Sequence, residues 1–254
     1  MNAAELGRVF ADKDVAALYR YRPPYPREVF TILERLIVEP RTVLDAGCGT
    51  GALARELAKA AVRVDAVDPS AAMIAEGRAL PGGDDARIRW IHARAEEAPL
   101  SGPYGLITAG ASLHWMQWGI VLPRFRSALA RDARLAIVDI ESVHPSGPLR
   151  DAQLEIIQRH SPVNDHVETA DTVDALVERG LFTLDGVERT APIAFEQPID
   201  DVLHRLHSTS TLSRVTLGDR LDDFDAEMRA AYAKHGVDRA RFGVVGYVAW
   251  GRSA

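Results

Sequence analysis

Asp45-Ala46-Gly47-Cys48-Gly49-Thr50-Gly51 sets three glycines on alternate positions directly behind a carboxylate. Glycines there permit a tight turn and let a ligand approach bare backbone. The helix expected after the loop offers unpaired N–H groups that suit a carboxylate or a phosphate. Asp68 follows Gly51 by seventeen residues, at the end of the next apolar run. An acid at that place can accept hydrogen bonds from ribose hydroxyls. Two nucleotide cofactors fit such a loop. Gly47-x-Gly49-x-x-Ala52 satisfies the dinucleotide fingerprint with alanine in third place. Asp45, however, would repel a pyrophosphate in a low-dielectric cleft and suits a ligand carrying an ammonium and a sulfonium. That favours S-adenosylmethionine over NAD.

Other residues could handle an acceptor. His114 follows the fourth expected strand, and an unperturbed imidazole titrates near neutrality, so it is the best-placed general base. Equally, His114 and Trp115 could simply line a pocket. Tyr19, Tyr21, Arg22 and Tyr25 sit in a proline-stiffened N-terminal segment, where Arg22 could grip a carboxylate bidentately. His204, Arg205, His207, Ser208, Ser210 and Arg214 gather off the apolar face of Val202, Leu203 and Leu206; they could receive an acidic acceptor or form a solvated face. His160 and His166 flank Asp165, but no metal site is expected from them. Cys48 has no adjoining base to lower its pKa and reads as a packing residue.

The elements that must position these groups follow from hydrophobic period. Thr42–Asp45, Val62–Asp68, Ile88–Ala93, Gly105–Ala109 and Arg134–Ile140 read as strands, alternating with helical stretches after Gly51, from Ser70 and through Val121, Phe125 and Leu129. In the second strand Arg63 and Asp65 read as the polar alternates. Strands alternating with helices imply a parallel α/β sheet with right-handed crossovers. Past Glu141 the rhythm changes. A helix at 149–160, one N-capped by Asp171, a single strand between Gly186 and Phe195, helices from Ile199 and before Gly236, and a last strand Phe242–Trp250 are expected. The prediction is an α/β, Rossmann-like, doubly wound, mostly parallel seven-stranded sheet with a helical cover over its carboxyl edge, the edge where open α/β sheets bind ligands. Residues 1–254 form one domain: an N-terminal lid at 1–40, a cofactor core at 41–141, a cover at 142–240 and the final strand at 241–254.

Composition narrows the classes. With 47% apolar and 26% charged residues the chain is an ordinary globular protein. A net charge of −6 has the wrong sign for a dedicated nucleic-acid or membrane surface. No apolar run approaches membrane-spanning length, no signal peptide is expected from MNAAELGRVFADKD, and one cysteine excludes an intrachain disulfide. Cytoplasm is the expected location; oligomeric state is left open.

VLDAGCGTGALARELA with VDAVDPSAAMI resembles motif I and the acid after the second strand of class I S-adenosylmethionine-dependent methyltransferases. YRYRPPYP at 19–26, RAEEAPL at 94–100 and TAGASLHWM at 108–116 are similar to a small-molecule subgroup that includes trans-aconitate methyltransferase-like proteins. The resemblance implies a cofactor set of Asp45, Ala46, Gly47, Cys48, Gly49, Thr50, Gly51, Asp68, Pro69, Met73, Ala95, Glu96 and Ala109. In it the loop holds the methionine part, Asp68 the ribose, Met73 the adenine face, and Ala95 and Glu96 the adenine edge. Related sequences often have an acid where this one has Arg94. Tyr19, Tyr21, Arg22, Trp115, His207 and Ser208 are the expected acceptor contacts, with His114 as catalytic base. Two rivals stand beside this reading: an NAD-dependent oxidoreductase, and a protein that binds S-adenosylmethionine without transferring methyl.

Overall fold

A computed structural model describes Gly7, residues 9–162 and residues 169–253. It divides into two compact units. The larger comprises the described parts of 24–141, 167–191 and 245–254; the smaller comprises those of 1–23, 142–166 and 192–244.

The strands are β1 (Thr42–Ala46), β2 (Arg63–Asp68), β3 (Ile88–His92), β4 (Leu106–Gly110), β5 (Leu135–Val143), β6 (Phe182–Arg189), β7 (Ile193–Pro198) and β8 (Arg239–Ser253). Seven of them run in the order β3-β2-β1-β4-β5-β8-β6. Pairings β1–β2, β2–β3, β1–β4 and β4–β5 are parallel, and β6–β8 is antiparallel. The strand order reverses between β1 and β4, which is where a doubly wound sheet opens a crevice for ligand. The fold is α/β as expected.

The larger unit's core explains why β1, β4 and the first half of β5 read as continuous apolar runs. Successive side chains leave a strand on opposite faces, and here both faces are covered. Leu44, Ala46, Ile107 and Ala109 pack with Val121, Phe125, Val173 and Leu176. Val43, Val64, Leu106 and Ala136 pack with Leu33, Leu53, Ala54 and Leu57. Asp65 departs from the alternation inferred above. Its side chain is fully buried, and it receives a two-pronged bond from Arg89 (2.9 and 2.7 Å) and the Tyr104 hydroxyl (2.5 Å). Arg89 is its register partner on β3, so the pair is set by sheet pairing that the local pattern does not contain.

Four further features differ from expectation. The region read as one strand at 186–195 is two, β6 and β7. The chain breaks at Thr190-Ala191-Pro192, where a proline has no N–H for a ladder. Residues of β7 pair with the first part of β8, an eighth strand beyond the seven foreseen. Asp171 is not an N-cap: the helix Thr169–Glu178 already includes it in the first turn. That helix also belongs to the sheet unit, burying Val173 and Leu176 in its core, rather than to a separate cover.

The smaller unit has its own core. Ile156, Val202, Leu203, Phe224 and Met228 meet from the helices Pro148–His160, Ile199–His207 and Leu221–Lys234. No helix of the described residues is long and apolar enough to cross a membrane.

Candidate active site

β1 delivers the glycine loop at the sheet's switch point, and each glycine has a physical reason to be there. Gly47, Gly49 and Gly51 all adopt positive φ, at 68°, 54° and 72°. A Cβ on Gly47 would lie 2.5 Å from the Cβ of Ser112, and one on Gly51 would lie 2.4 Å from the Trp90 ring. The N–H groups of Gly47 and Cys48 both donate to the Val67 carbonyl, at 2.8 and 2.9 Å, which folds the loop back onto β2.

Asp68 fastens the same loop from the other side. Its Oδ2 accepts from the Gly49 N–H and its Oδ1 from the Ser70 N–H, both at 2.8 Å. Ser70 in turn caps the helix Ala71–Ala79, its hydroxyl accepting from the Met73 N–H. One carboxylate therefore sets the glycine loop and the next helix relative to each other. Each of its oxygens keeps a second lone-pair direction for a ligand hydroxyl. Burial raises its pKa, opposed by the two backbone bonds and by His92.

Asp45 is buried at the end of β1, with Oδ1 accepting from the Thr108 hydroxyl (2.9 Å) and Oδ2 from the Ala54 N–H (3.1 Å). Thr108 is its register partner on β4. Burial pushes the Asp45 carboxyl up to about 7, Thr108 and Ala54 pull it down, and Asp68 adds a smaller upward push. The group thus titrates near neutrality. Its bond to Ala54 also changes the reading of the following helix. A first-turn N–H that the sequence offered to an anionic ligand is taken by the protein's own carboxyl. Burial and both carboxylates push the Cys48 thiol up, so it supplies no thiolate.

Around this centre Ala46, Met73, Ala95 and Ala109 are buried, as are Thr50 and Glu96. Glu96 Oε1 accepts from the Gln117 N–H at 2.9 Å and pairs with Arg94 at 3.3 Å. Pro69 offers its carbonyl to the His92 ring at 3.0 Å. His114 and Trp115 lie half-buried on the turn Leu113–Trp115, ring centres 4.8 Å apart. Three positioning residues went unnoticed in the sequence. Thr108 orients Asp45; Ser112 donates to the Ala46 carbonyl at 2.7 Å and demands the glycine at 47; Trp90 demands those at 51 and 77. For Thr108 the signal is the register of β4 against β1, which local pattern does not reveal.

The remaining expected contacts belong to the smaller unit. Arg22 donates from Nε to the Ser208 hydroxyl (2.9 Å) and from Nη2 to the Ser208 carbonyl (2.7 Å), and lies over the Tyr19 ring at 4.0 Å. Tyr21 stacks on His204 at 4.6 Å. His207 and Ser208 are interior, not on a solvated face. The ring nitrogens of His207 meet the Leu212 carbonyl and Asp225, each at 2.9 Å. His160 is buried 3.4 Å from Glu227, while Asp165 and His166 lie outside the described residues. No metal-binding cluster occurs among the described residues.

Residues 43–132 match a family model described as a methyltransferase domain. A malonyl-[acyl-carrier protein] O-methyltransferase of Anoxybacillus flavithermus is 37% identical over 87 residues, 34% of this chain and 33% of that one. An uncharacterised methyltransferase of Mycobacterium tuberculosis is 33% identical over 156 residues, covering 60% of this chain and 61% of that one. The chain thus spans between a third and three fifths of these relatives' lengths. Among solved structures, a protein of Anaeromyxobacter dehalogenans provisionally named a type II methyltransferase is 26% identical. It covers 91% of this chain and 97% of its own, with a TM-score of 0.61. One from Bacillus halodurans shares the fold at 16% identity, a TM-score of 0.53 and coverages of 89% and 99%.

Proposed function

We propose that this chain, which belongs to the class I methyltransferases, transfers a methyl group from S-adenosylmethionine to a small-molecule acceptor. The observation that carries the cofactor choice is Asp45. Its carboxyl occupies the Ala54 N–H that a pyrophosphate would use, and it titrates where a neighbouring ammonium would hold it ionised. The same arrangement disfavours NAD. The groups present fit the cofactor: glycines at positive φ, with no room for a Cβ at Gly47 or Gly51, an acid at the end of β2 with lone pairs to spare, and a buried thioether at Met73 that suits an aromatic face.

The cofactor, when bound, supplies an activated methyl for in-line displacement. The chain's part is to hold it and exclude water. Asp68 receives the ribose hydroxyls, the 47–51 backbone accommodates the methionine part, and Asp45 answers its ammonium. Ala95, Glu96 and Ala109 complete the adenine side. His114 removes a proton from the acceptor where the acceptor must lose one, and Trp115 walls the pocket. The test is S-adenosylhomocysteine formation from S-adenosylmethionine across a panel of oxygen, nitrogen and carbon acceptors. Formation dependent on one acceptor supports the reading. Cofactor binding with no turnover on any acceptor contradicts methyl transfer.

A further inference from the structure

Four arginines of the smaller unit have acidic partners among the described residues. Arg159 pairs with Glu227, Arg229 with Asp200, and Arg239 and Arg241 with Glu196. Arg22 and Arg150 both lie within electrostatic reach of Arg205, and among the described residues none of the three pairs with a carboxylate. Among the described residues the Arg22 guanidinium donates to the neutral oxygens of Ser208 and lies over the Tyr19 ring. Arg205 is held in place: its Nε donates to Gln197 Oε1 at 2.8 Å, and its guanidinium carbon lies 5.1 Å over the Phe242 ring. Gln197 is itself buried and donates to the Tyr21 carbonyl at 3.1 Å. The terminal nitrogens of Arg205 have no partner among the described residues.

We propose that Arg150 and Arg205, with the buried Tyr232 hydroxyl, bind the oxyanion, a carboxylate or a phosphate, of a small molecule. A guanidinium fixed in advance by neutral groups, as that of Arg205 is, suits such a ligand. Like charges gathered at half-buried positions without a counter-ion are costly, and an anion relieves that cost. The surroundings agree. Burial lowers the pKa of Arg205 to about 10 and that of Arg150 as well, and the neighbouring arginines add to the effect on Arg205. His144, against the Phe242 ring at 4.6 Å, is held down at about 4 by burial, Arg150 and Arg205, and so is neutral at physiological pH. The site stands on the smaller unit's own residues and does not depend on the methyl-transfer reading.

The experiment compares thermal midpoints of the full chain in sodium malonate, sodium phosphate and sodium chloride at matched ionic strength. Wild type should gain about 3–5 °C in malonate or phosphate over chloride near tenfold saturation. Arg150→Gln and Arg205→Gln should lose that difference, with Arg205→Lys replacing the latter if it does not fold. Which of the two salts acts distinguishes carboxylate from phosphate. Equal midpoints in all three salts, or an equal gain in wild type and Arg150→Gln, would overturn the proposal. S-adenosylhomocysteine is added in parallel to each protein. Its shift reports on the methyl-transfer reading alone, so the two ideas fail separately.

Discussion

Asp45→Asn isolates the group on which the cofactor argument turns. The carboxyl titrates from 3.8 in its ordinary state to about 7 in the fold. Because the folded value lies above the unfolded one, the unfolded chain loses this proton first as pH rises. Its contribution therefore favours folding below pH 4, is withdrawn between about 4 and 7, and is level above that. Three pK units correspond to on the order of 4 kcal/mol. Asparagine keeps the geometry. Its oxygen can accept from the Ala54 N–H, and its amide can donate to Thr108 Oγ1, which then turns its own proton to the Leu44 carbonyl, 3.4 Å away. The expected result is a variant more stable than wild type at pH 8 and no more stable at pH 4. Urea midpoints at pH 4, 5, 6, 7 and 8 measure the difference, which should grow through the interval and then flatten. Parallel profiles for the two proteins would refute the assignment of a buried carboxyl that must ionise.

The same titration should govern the ligand: S-adenosylmethionine binding should be about tenfold weaker at pH 6 than at pH 8 in wild type and nearly pH-independent in Asp45→Asn, as read by calorimetry; equal slopes would remove Asp45 from the ammonium. Asp68→Ala breaks the bonds to Gly49 and Ser70 as well as the ribose contact. It should weaken cofactor binding by about 1–3 kcal/mol, and unchanged affinity would cancel the ribose assignment. Gly51→Ala must fit a Cβ against Trp90 at positive φ and should lower stability by about 2–4 kcal/mol in urea unfolding; a loss under about 0.5 kcal/mol would mean the loop adjusts freely. His114→Ala should lower turnover about 10²–10⁴-fold with cofactor affinity intact, and a loss below tenfold would leave His114 as a wall.

What the sequence made legible was local or periodic. β1, β4 and the first half of β5 read correctly because both faces of the sheet are buried there, which makes each a short apolar run, while β2 and β3 read from their alternating apolar residues. The loop at 47–51 was legible because three positive-φ positions leave glycine as the residue without strain. What stayed hidden depends on pairing between distant segments. Asp65 looks like a solvent-facing alternate until β3 brings Arg89 opposite it. Thr108 is an unremarkable strand residue until β4 sets it beside Asp45. Likewise β6 and β7 merge in the sequence because only the long β8 reveals that both need an antiparallel partner. Arg150 and Arg205 are separated by more than fifty residues, and no local pattern announces that both lack an acid.

The central claim is that the Asp45–Gly51 loop and Asp68 hold S-adenosylmethionine. Calorimetric titration of the purified chain with S-adenosylhomocysteine and, separately, with NAD tests it most directly. Micromolar binding of the first and none of the second is the predicted result. NAD binding without S-adenosylhomocysteine binding would contradict it and make Gly47-x-Gly49-x-x-Ala52 a dinucleotide site.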